Sequence, residues 1–139
     1  MTKYWVGVIS ADHVATAVKQ GIMQIGHGRK AGVNRQQQGD WIIYYSPRQY
    51  INDKEPLQEF TALGQITDEE PYQVIISEAF QPWRRNVDYD PVLPLPIRPI
   101  LDKLSFIKNK ARWGAAFRYG LLEIPEPDFD FICSKLRQN

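Results

Sequence analysis

The sequence predicts an α+β fold in which short, mostly antiparallel strands form a curved sheet or small barrel with helices packed around it. Strand-like segments outnumber helix-like ones by roughly two to one, and they follow one another along the chain with turns between them. The chain has 139 residues, 43% of them hydrophobic, which is the size and composition of one ordinary domain. We therefore expect a single domain over residues 1–139.

The first strand and helix have the clearest sequence signals. Residues 3–9 alternate with a period of two and are apolar on both faces, which predicts a strand buried on both sides. Ser10 is expected to cap the helix that follows, and Asp12 complements the positive end of that helix. An apolar stripe with a period of 3.6 continues until Gly21, where the helix is expected to end.

The rest of the chain reads as further strands, a polar connection with a turn of helix, and two later helices. The predicted strands cover 22–25, 40–46, 57–67, 72–77, 83–89 and 117–124, the short helix covers 99–104, and the terminal helix covers 126–136. We expect the strands 57–67 and 72–77 to pair as a hairpin across an acidic turn, with Gly64 forming a bulge. The prolines between 90 and 99 predict an extended connection.

Charge and composition exclude several classes of protein. Seventeen basic against sixteen acidic residues leave a formal charge of +1, so any contact with nucleic acid must be local. A lone Cys133 is expected to be packed in the core and indicates a reducing, cytoplasmic location. The apolar run near the N-terminus is too short to span a membrane. Two histidines and one cysteine without a ligand spacing predict neither a metal nor another cofactor.

Seven segments, taken in order, resemble one known family. They are YWVGVIS (4–10), GHG (26–28), GDWIIYYSP (39–47), PLQEFTALGQI (56–66), PWRRNVDY (82–89), PIRPILDKLSFI (96–107) and RWGAAFRYGLLEI (112–124). The chain resembles a compact prokaryotic form of the EVE domain family, a PUA-like group related to YTH, ASCH and SRA-type base readers. The resemblance implies a pseudo-barrel whose pocket holds a flipped, modified base, such as a methylated cytosine or adenine. The GHG loop departs from other members.

The predicted base pocket centres on two loops. His27 lies between two glycines that let the backbone turn or approach a ligand closely, and its ring can donate to a base edge or a phosphate. Ser46 ends a strand rich in aromatic residues, at a place where binding loops commonly sit. With the resemblance, these features predict a pocket lined by Trp5, Ser10, Gln24, Gly26, His27, Gly28, Tyr45 and Ser46.

Basic residues interleaved with aromatic ones predict a surface that binds the nucleic-acid backbone. Residues 80–85 combine aromatic rings with two arginines, and residues 103–114 are the most basic part of the chain. The expected phosphate contacts are Arg29, Lys30, Arg48, Arg84, Arg85, Lys108, Lys110 and Arg112. The expected stacking residues are Trp41, Phe80, Trp83 and Trp113.

The sequence thus favours a non-enzymatic domain that binds RNA or DNA through one flipped base, with no membrane partner; a homodimer is compatible with it. Two alternatives stay open. A ribonuclease-like hydrolase would use His13 or His27 as acid or base. A small-molecule sensor would hold a free nucleobase in the same pocket, in keeping with the small net charge.

Overall fold

One mixed sheet organises the fold of the computed structural model, which describes residues 1–137. The strands are β1 (Tyr4–Val8), β2 (Ile22–Met23), β3 (Trp41–Ser46), β4 (Glu59–Ile66), β5 (Tyr72–Gln73), β6 (Trp83–Tyr89), β7 (Leu95–Pro96) and β8 (Leu121–Ile124). The helices are α1 (Ala11–Gln20), α2 (Lys30–Asn34) and α3 (Glu126–Arg137), with 3₁₀ helices at Gly26–Gly28, Arg98–Lys103 and Lys110–Phe117.

The strand order is β2-β6-β4-β3-β1-β8, with β5 added to β6 and β7 added to β4. Within the described residues the β1–β3 pair is parallel and the other pairs are antiparallel. The described strands β2 and β8, at the two ends of this order, do not pair, so the sheet stays open. The α+β class with mostly antiparallel strands, predicted from the sequence, is confirmed.

The core lies on both faces of the central strands. Val6 of β1 packs in the layer covered by α3, whereas Trp5 packs in the layer that holds Val14 of α1 and Val33 of α2. The prediction that the first strand is buried on both sides is therefore confirmed. Cys133 is buried in α3, and this burial raises the pKa of its thiol to about 12, so the thiol stays protonated and acts as a packing group, as predicted.

The expected hairpin between residues 57–67 and 72–77 is wrong. Strand β5 is only two residues long and pairs with β6, with Tyr72 opposite Arg84. Strand β4 instead pairs with β3 along one edge and with β6 and β7 along the other, so neither edge is left for β5. The acidic turn after β4 therefore leads to the β5–β6 hairpin and not back along β4.

Gly64 forms no bulge. The register of the β3–β4 pair shifts between Tyr44 and Tyr45, while Gly64 lies in regular ladder positions opposite Ile42 and Tyr89. A Cβ at Gly64 would lie 2.5 Å from Cγ1 of Val87. The glycine at this position therefore permits close approach of β6.

The ends of the first helix follow the sequence only in part. Gly21 ends α1 in the left-handed conformation, with φ 69°, as predicted. Ser10 precedes the helix but makes no side-chain cap. The Ser10 hydroxyl is instead the main influence that holds the pKa of the Asp12 carboxylate below its usual range, and the neighbouring His13 acts in the same direction. None of the helices within residues 1–137 has the length and apolar character that a membrane span requires.

The later elements are shorter than their sequence patterns suggested. The strand expected over residues 117–124 covers only Leu121–Ile124, because Phe117 ends the 3₁₀ helix Lys110–Phe117 and residues 118–120 form a turn before the strand. The short helix expected at 99–104 is present as the 3₁₀ helix Arg98–Lys103, which has a proline in its first turn. The 3₁₀ helix Lys110–Phe117 contacts β8 and the 3₁₀ helix Arg98–Lys103, and it supplies part of the site described below.

Candidate functional site

A groove of about 1050 Å³ opens where β1 and β3 end. Val8 and Tyr45 are partners in the parallel ladder and both line the groove, so the connections after both strands leave from the same edge of the sheet. The backbone N–H of Ala11 at the start of α1 donates to the carbonyl of Arg48, which ties the two connections together. Further walls come from helix α1, the 3₁₀ helices Gly26–Gly28 and Lys110–Phe117, and the residues Gln58, Phe80 and Arg84.

The charged side chains that line the groove are all potential cations. They comprise three arginines and both histidines of the chain: Arg48, Arg84, Arg118, His13 and His27. The chain has sixteen carboxylate side chains, yet among residues 1–137 none of them lines the groove. A nearly neutral protein thus concentrates positive charge in one concave surface, which attracts anions.

Three aromatic rings pack together in one wall of the groove. Tyr45 stacks on Phe117 with ring centroids 4.3 Å apart and planes 17° apart, and both residues are buried. Trp113 is half-buried and meets both rings edge-on. Burial raises the pKa of Tyr45 to about 12, although Arg98 and Arg48 act in the opposite direction. The Tyr45 hydroxyl therefore keeps its proton at neutral pH and can donate a hydrogen bond.

Two residues of the groove have a strained backbone. His27 has φ 61° and Gln58 has φ 59°, and these are the non-glycine residues with positive φ in the described part of the chain. Both line the groove. Such conformations are uncommon for residues other than glycine and cluster at functional sites. The sequence predicted freedom at the flanking glycines, and the structure has the left-handed conformation at His27 as well as at Gly28.

Two glutamines of the groove are held by arginines. The Nε of Arg84 donates to Oε1 of Gln24 over 2.8 Å. The Nε of Arg98 donates to Oε1 of Gln58 over 2.7 Å, and the same guanidinium lies 5.4 Å from the ring centroid of Trp113. An arginine Nε can only donate, so each amide must present its oxygen to the arginine and its NH₂ group elsewhere.

Replacing Gly28 with alanine is expected to destabilise the protein by about 1–3 kcal/mol. Gly28 has φ 78°, and a Cβ there would overlap Pro82 of the neighbouring hairpin. Gly120 is the matched control, since its φ is 79° but a Cβ there meets no atom within 4 Å. Urea unfolding of Gly28→Ala and Gly120→Ala separates the two causes. Equal losses in the two variants would show that overlap with Pro82 contributes nothing.

The groove brings together nine of the residues predicted from the sequence: Ser10, Gln24, His27, Gly28, Tyr45, Arg48, Phe80, Arg84 and Trp113. Gly26 begins the 3₁₀ helix that carries His27. Sequence reasoning left out Gln58, Arg118 and Tyr119 of the groove. For Arg118 and Tyr119 the sequence did offer an indication, because a cation and an aromatic residue stand directly before Gly120. This segment was predicted to be a strand.

Three predicted residues pack in or against the core and away from the groove, with Trp41 partly buried. Trp5 is 1% exposed and its Nε1 donates to Oδ2 of Asp40. Ser46 is fully buried and shares a hydrogen bond with the hydroxyl of Thr61. Trp41 packs against an aromatic residue of α3. In each case strand alternation directs the side chain into a core layer, and these residues are not retained in the site.

Arg85 is also placed elsewhere, although its neighbour Arg84 lines the groove. Consecutive residues of a strand point to opposite faces, so β6 directs Arg85 into the interior, where its side chain is 1% exposed. Its guanidinium donates to both a carboxylate oxygen and the backbone carbonyl of Asp68, and to the carbonyls of Val33 and Gln36. All three nitrogens of the Arg85 guanidinium therefore donate to protein oxygens, and none is directed to a phosphate.

The other predicted basic and stacking residues lie outside the groove lining. Lys110 donates to two backbone carbonyls of the preceding 3₁₀ segment. Lys30 lies over the ring of Trp83, 4.7 Å from its centroid. The remaining three are exposed at the surface: Arg29, Lys108 and Arg112. Within residues 1–137 no three histidine, cysteine or carboxylate side chains come together as a metal site.

Comparisons with known proteins agree with this architecture. A family model described as EVE domain matches residues 3–135. A UPF0310 protein of Mycolicibacterium vanbaalenii is 47% identical over 132 residues, which cover 95% of this chain and 91% of that protein.

Solved structures show the same fold at low identity. The complex of the YTH domain-containing protein mmi1 with RNA has a TM-score of 0.63 at 11% identity, covering 97% of this chain and 81% of that one. Human THYN1 in complex with DNA containing 5-methylcytosine has a TM-score of 0.52 at 12% identity, covering 96% of each chain. Because the family model spans nearly all of the sequence, the chain belongs to the EVE domain family.

Proposed function

We propose that this protein is a nucleic-acid-binding domain that holds one base, turned out of its stack, in the groove. The observation that carries the proposal is the sign of the charge in the groove. Arginines and histidines line the groove, and no carboxylate of residues 1–137 does. In a chain of formal charge +1, such a local concentration favours a polyanion over a neutral ligand.

The aromatic wall suits a base. The exposed part of Trp113 offers planar apolar surface beside hydrogen-bond donors, and the stacked pair Tyr45 and Phe117 supports the Trp113 ring edge-on. Stacking of a base on an aromatic ring contributes about 1–3 kcal/mol, and edge contacts then add identity. A methyl group on the base makes it slightly more apolar, so we propose that the favoured base is modified, with a methylated cytosine or adenine as the leading candidates.

The neighbours in structure support the same class of ligand. One of them is in complex with RNA and another with DNA that contains 5-methylcytosine. Because both structures have low identity to this chain, they support the class of ligand only. The binding experiment below distinguishes RNA from DNA.

The direct test is fluorescence anisotropy with short single-stranded RNA and DNA of one sequence, each carrying cytosine, 5-methylcytosine, adenine or N6-methyladenine at one position. We expect binding that weakens steeply with salt and is tighter for one modified base than for its parent. Binding of a free nucleobase without salt dependence would instead support the small-molecule sensor. Cleavage of the RNA probe would support the hydrolase.

Replacing His27 with asparagine is expected to lower the preference for the favoured base by about 1–3 kcal/mol while leaving the weaker, backbone-driven binding nearly intact. Asparagine tolerates the left-handed conformation of this residue, so the variant removes the imidazole without adding backbone strain. The measurement is the ratio of affinities for the modified and parent oligonucleotides. A wild-type ratio in His27→Asn would show that the histidine serves the loop alone.

A further inference from the structure

Resting on the proposed function, we propose that the groove holds two bases rather than one, each read by a glutamine whose amide is oriented by an arginine. The first subsite combines Gln24 and Arg84, and the second combines Gln58 and Arg98. The class of ligand is therefore a dinucleotide step within a strand.

These two glutamines differ from the others in the described chain. Five glutamines use the amide Nε2 as a donor to a backbone carbonyl: Gln36, Gln38, Gln65, Gln73 and Gln81. Gln24 and Gln58 do the reverse, since each accepts at Oε1 from an arginine Nε. Among residues 1–137 their Nε2 groups donate to no protein atom, and both side chains line the groove. Two oriented NH₂ groups are thus available to a ligand.

Each glutamine has its own aromatic neighbour. Arg98 joins Gln58 to Trp113, because its guanidinium lies over the Trp113 ring while its Nε donates to Gln58. Phe80, which is 39% exposed and lines the groove, lies beside the turn that follows Gln24, since a Cβ added at Gly28 would be 3.4 Å from its ring. A stacking surface and an oriented donor therefore occur twice, on different elements of the fold.

The size of the groove agrees with two occupants. Pockets of roughly 300–1,000 Å³ enclose drug-sized ligands, which are considerably larger than a nucleobase. The groove measures about 1050 Å³. One base would leave most of it to solvent, whereas two bases and the linking sugar and phosphate fill more of it and bring the phosphate among the groove arginines.

The donors also define which base edges fit. An amide NH₂ pairs with acceptors such as O6 and N7 of guanine, O4 and O2 of thymine and uracil, N7 of adenine, or O2 and N3 of cytosine, so a methylated adenine or cytosine fits when it presents one of these acceptors and not its amino group. Replacing glutamine with glutamate keeps an oxygen for the arginine but turns the donor into an acceptor. Each Gln→Glu variant should therefore reverse the preference at its own subsite.

The experiment places a single abasic site at each position of a bound single-stranded oligonucleotide and measures the affinity of wild type, Gln24→Glu and Gln58→Glu. In wild type we expect two positions at which the abasic site weakens binding about tenfold, and each variant should lose sensitivity at a different one of them. Gln20→Glu is the control for charge, since Gln20 lines the same groove and has no arginine partner among the described residues.

One sensitive position, or loss of the same position in both variants, would overturn the two-base groove and leave the single-base proposal standing. An effect of Gln20→Glu equal to that of the other two variants would also overturn it, because charge alone would then explain the result. A wild-type protein that binds none of the oligonucleotides would overturn the proposed function itself. Unfolding curves of all variants ensure that only folded proteins are compared.

Discussion

Replacing Arg85 with alanine is expected to lower the free energy of unfolding by about 3–5 kcal/mol. The guanidinium is buried between β6, α2 and the turn after β4, and its Nε lies 2.7 Å from Oδ1 of Asp68. Its removal would leave the buried carbonyls of Val33 and Gln36 without their donor. Because the loss is in the core, we expect it to appear in urea or thermal unfolding of the free protein, whether or not a ligand is present.

The adjacent residue provides the matched control. Arg84 is half-buried and lines the groove, so Arg84→Ala should change stability by less than about 1 kcal/mol and weaken binding instead. Arg85→Lys should fail to restore full stability, since one ammonium group cannot reproduce the fork of donors. If Arg85→Ala kept wild-type stability and reduced the salt dependence of binding, Arg85 would be a phosphate contact, as the sequence first suggested.

The double variant Arg48→Glu and Arg118→Glu is expected to weaken nucleic-acid binding by on the order of 100-fold or more. Both side chains line the groove and belong to different connections, one after β3 and one before β8. Each single Arg→Ala variant should lower the salt slope by about one. The measurement is anisotropy of a labelled oligonucleotide over a range of salt concentrations.

Two lysines distant from the groove serve as controls for total charge. Lys19 lies on α1 outside the groove lining, and Lys135 lies over Phe131 on α3. The double variant Lys19→Glu and Lys135→Glu changes the net charge by the same amount. An equal loss of binding in this control would show that the field of the whole protein, and not the groove, governs affinity.

The fold was predictable from the sequence wherever the hydrophobic periodicity agrees with the residues that mark the ends of helices and strands. The two-residue period of residues 3–9, the apolar stripe of the first helix and the glycine that ends this helix at Gly21 each predict one local structure, and all three are present. The pairing of β5 was not predictable, because two short strands separated by a turn carry no signal for which neighbour has a free edge.

The site was predictable only in part, both in its loops and in its strands. Loop residues such as His27 and Arg48 line the groove because the loops lie at its mouth. For Arg84 and Arg85 the alternation of a strand was evident, but its phase depends on where α2 packs, which is a property of the whole fold. The roles of Gln58 and Arg98 depend on a hydrogen bond between residues 40 apart, which no local pattern reveals.

The most direct test of the central claim, that the groove binds nucleic acid, is a titration of ¹⁵N-labelled protein with the preferred oligonucleotide followed by NMR. The groove predicts that the amide signals of Gly28, Gln58, Gly114 and Gly120 shift together, since all four residues line it. The signals of α3 should stay unchanged. Shifts confined to α3 and its surroundings would contradict the account and assign binding to another face of the protein.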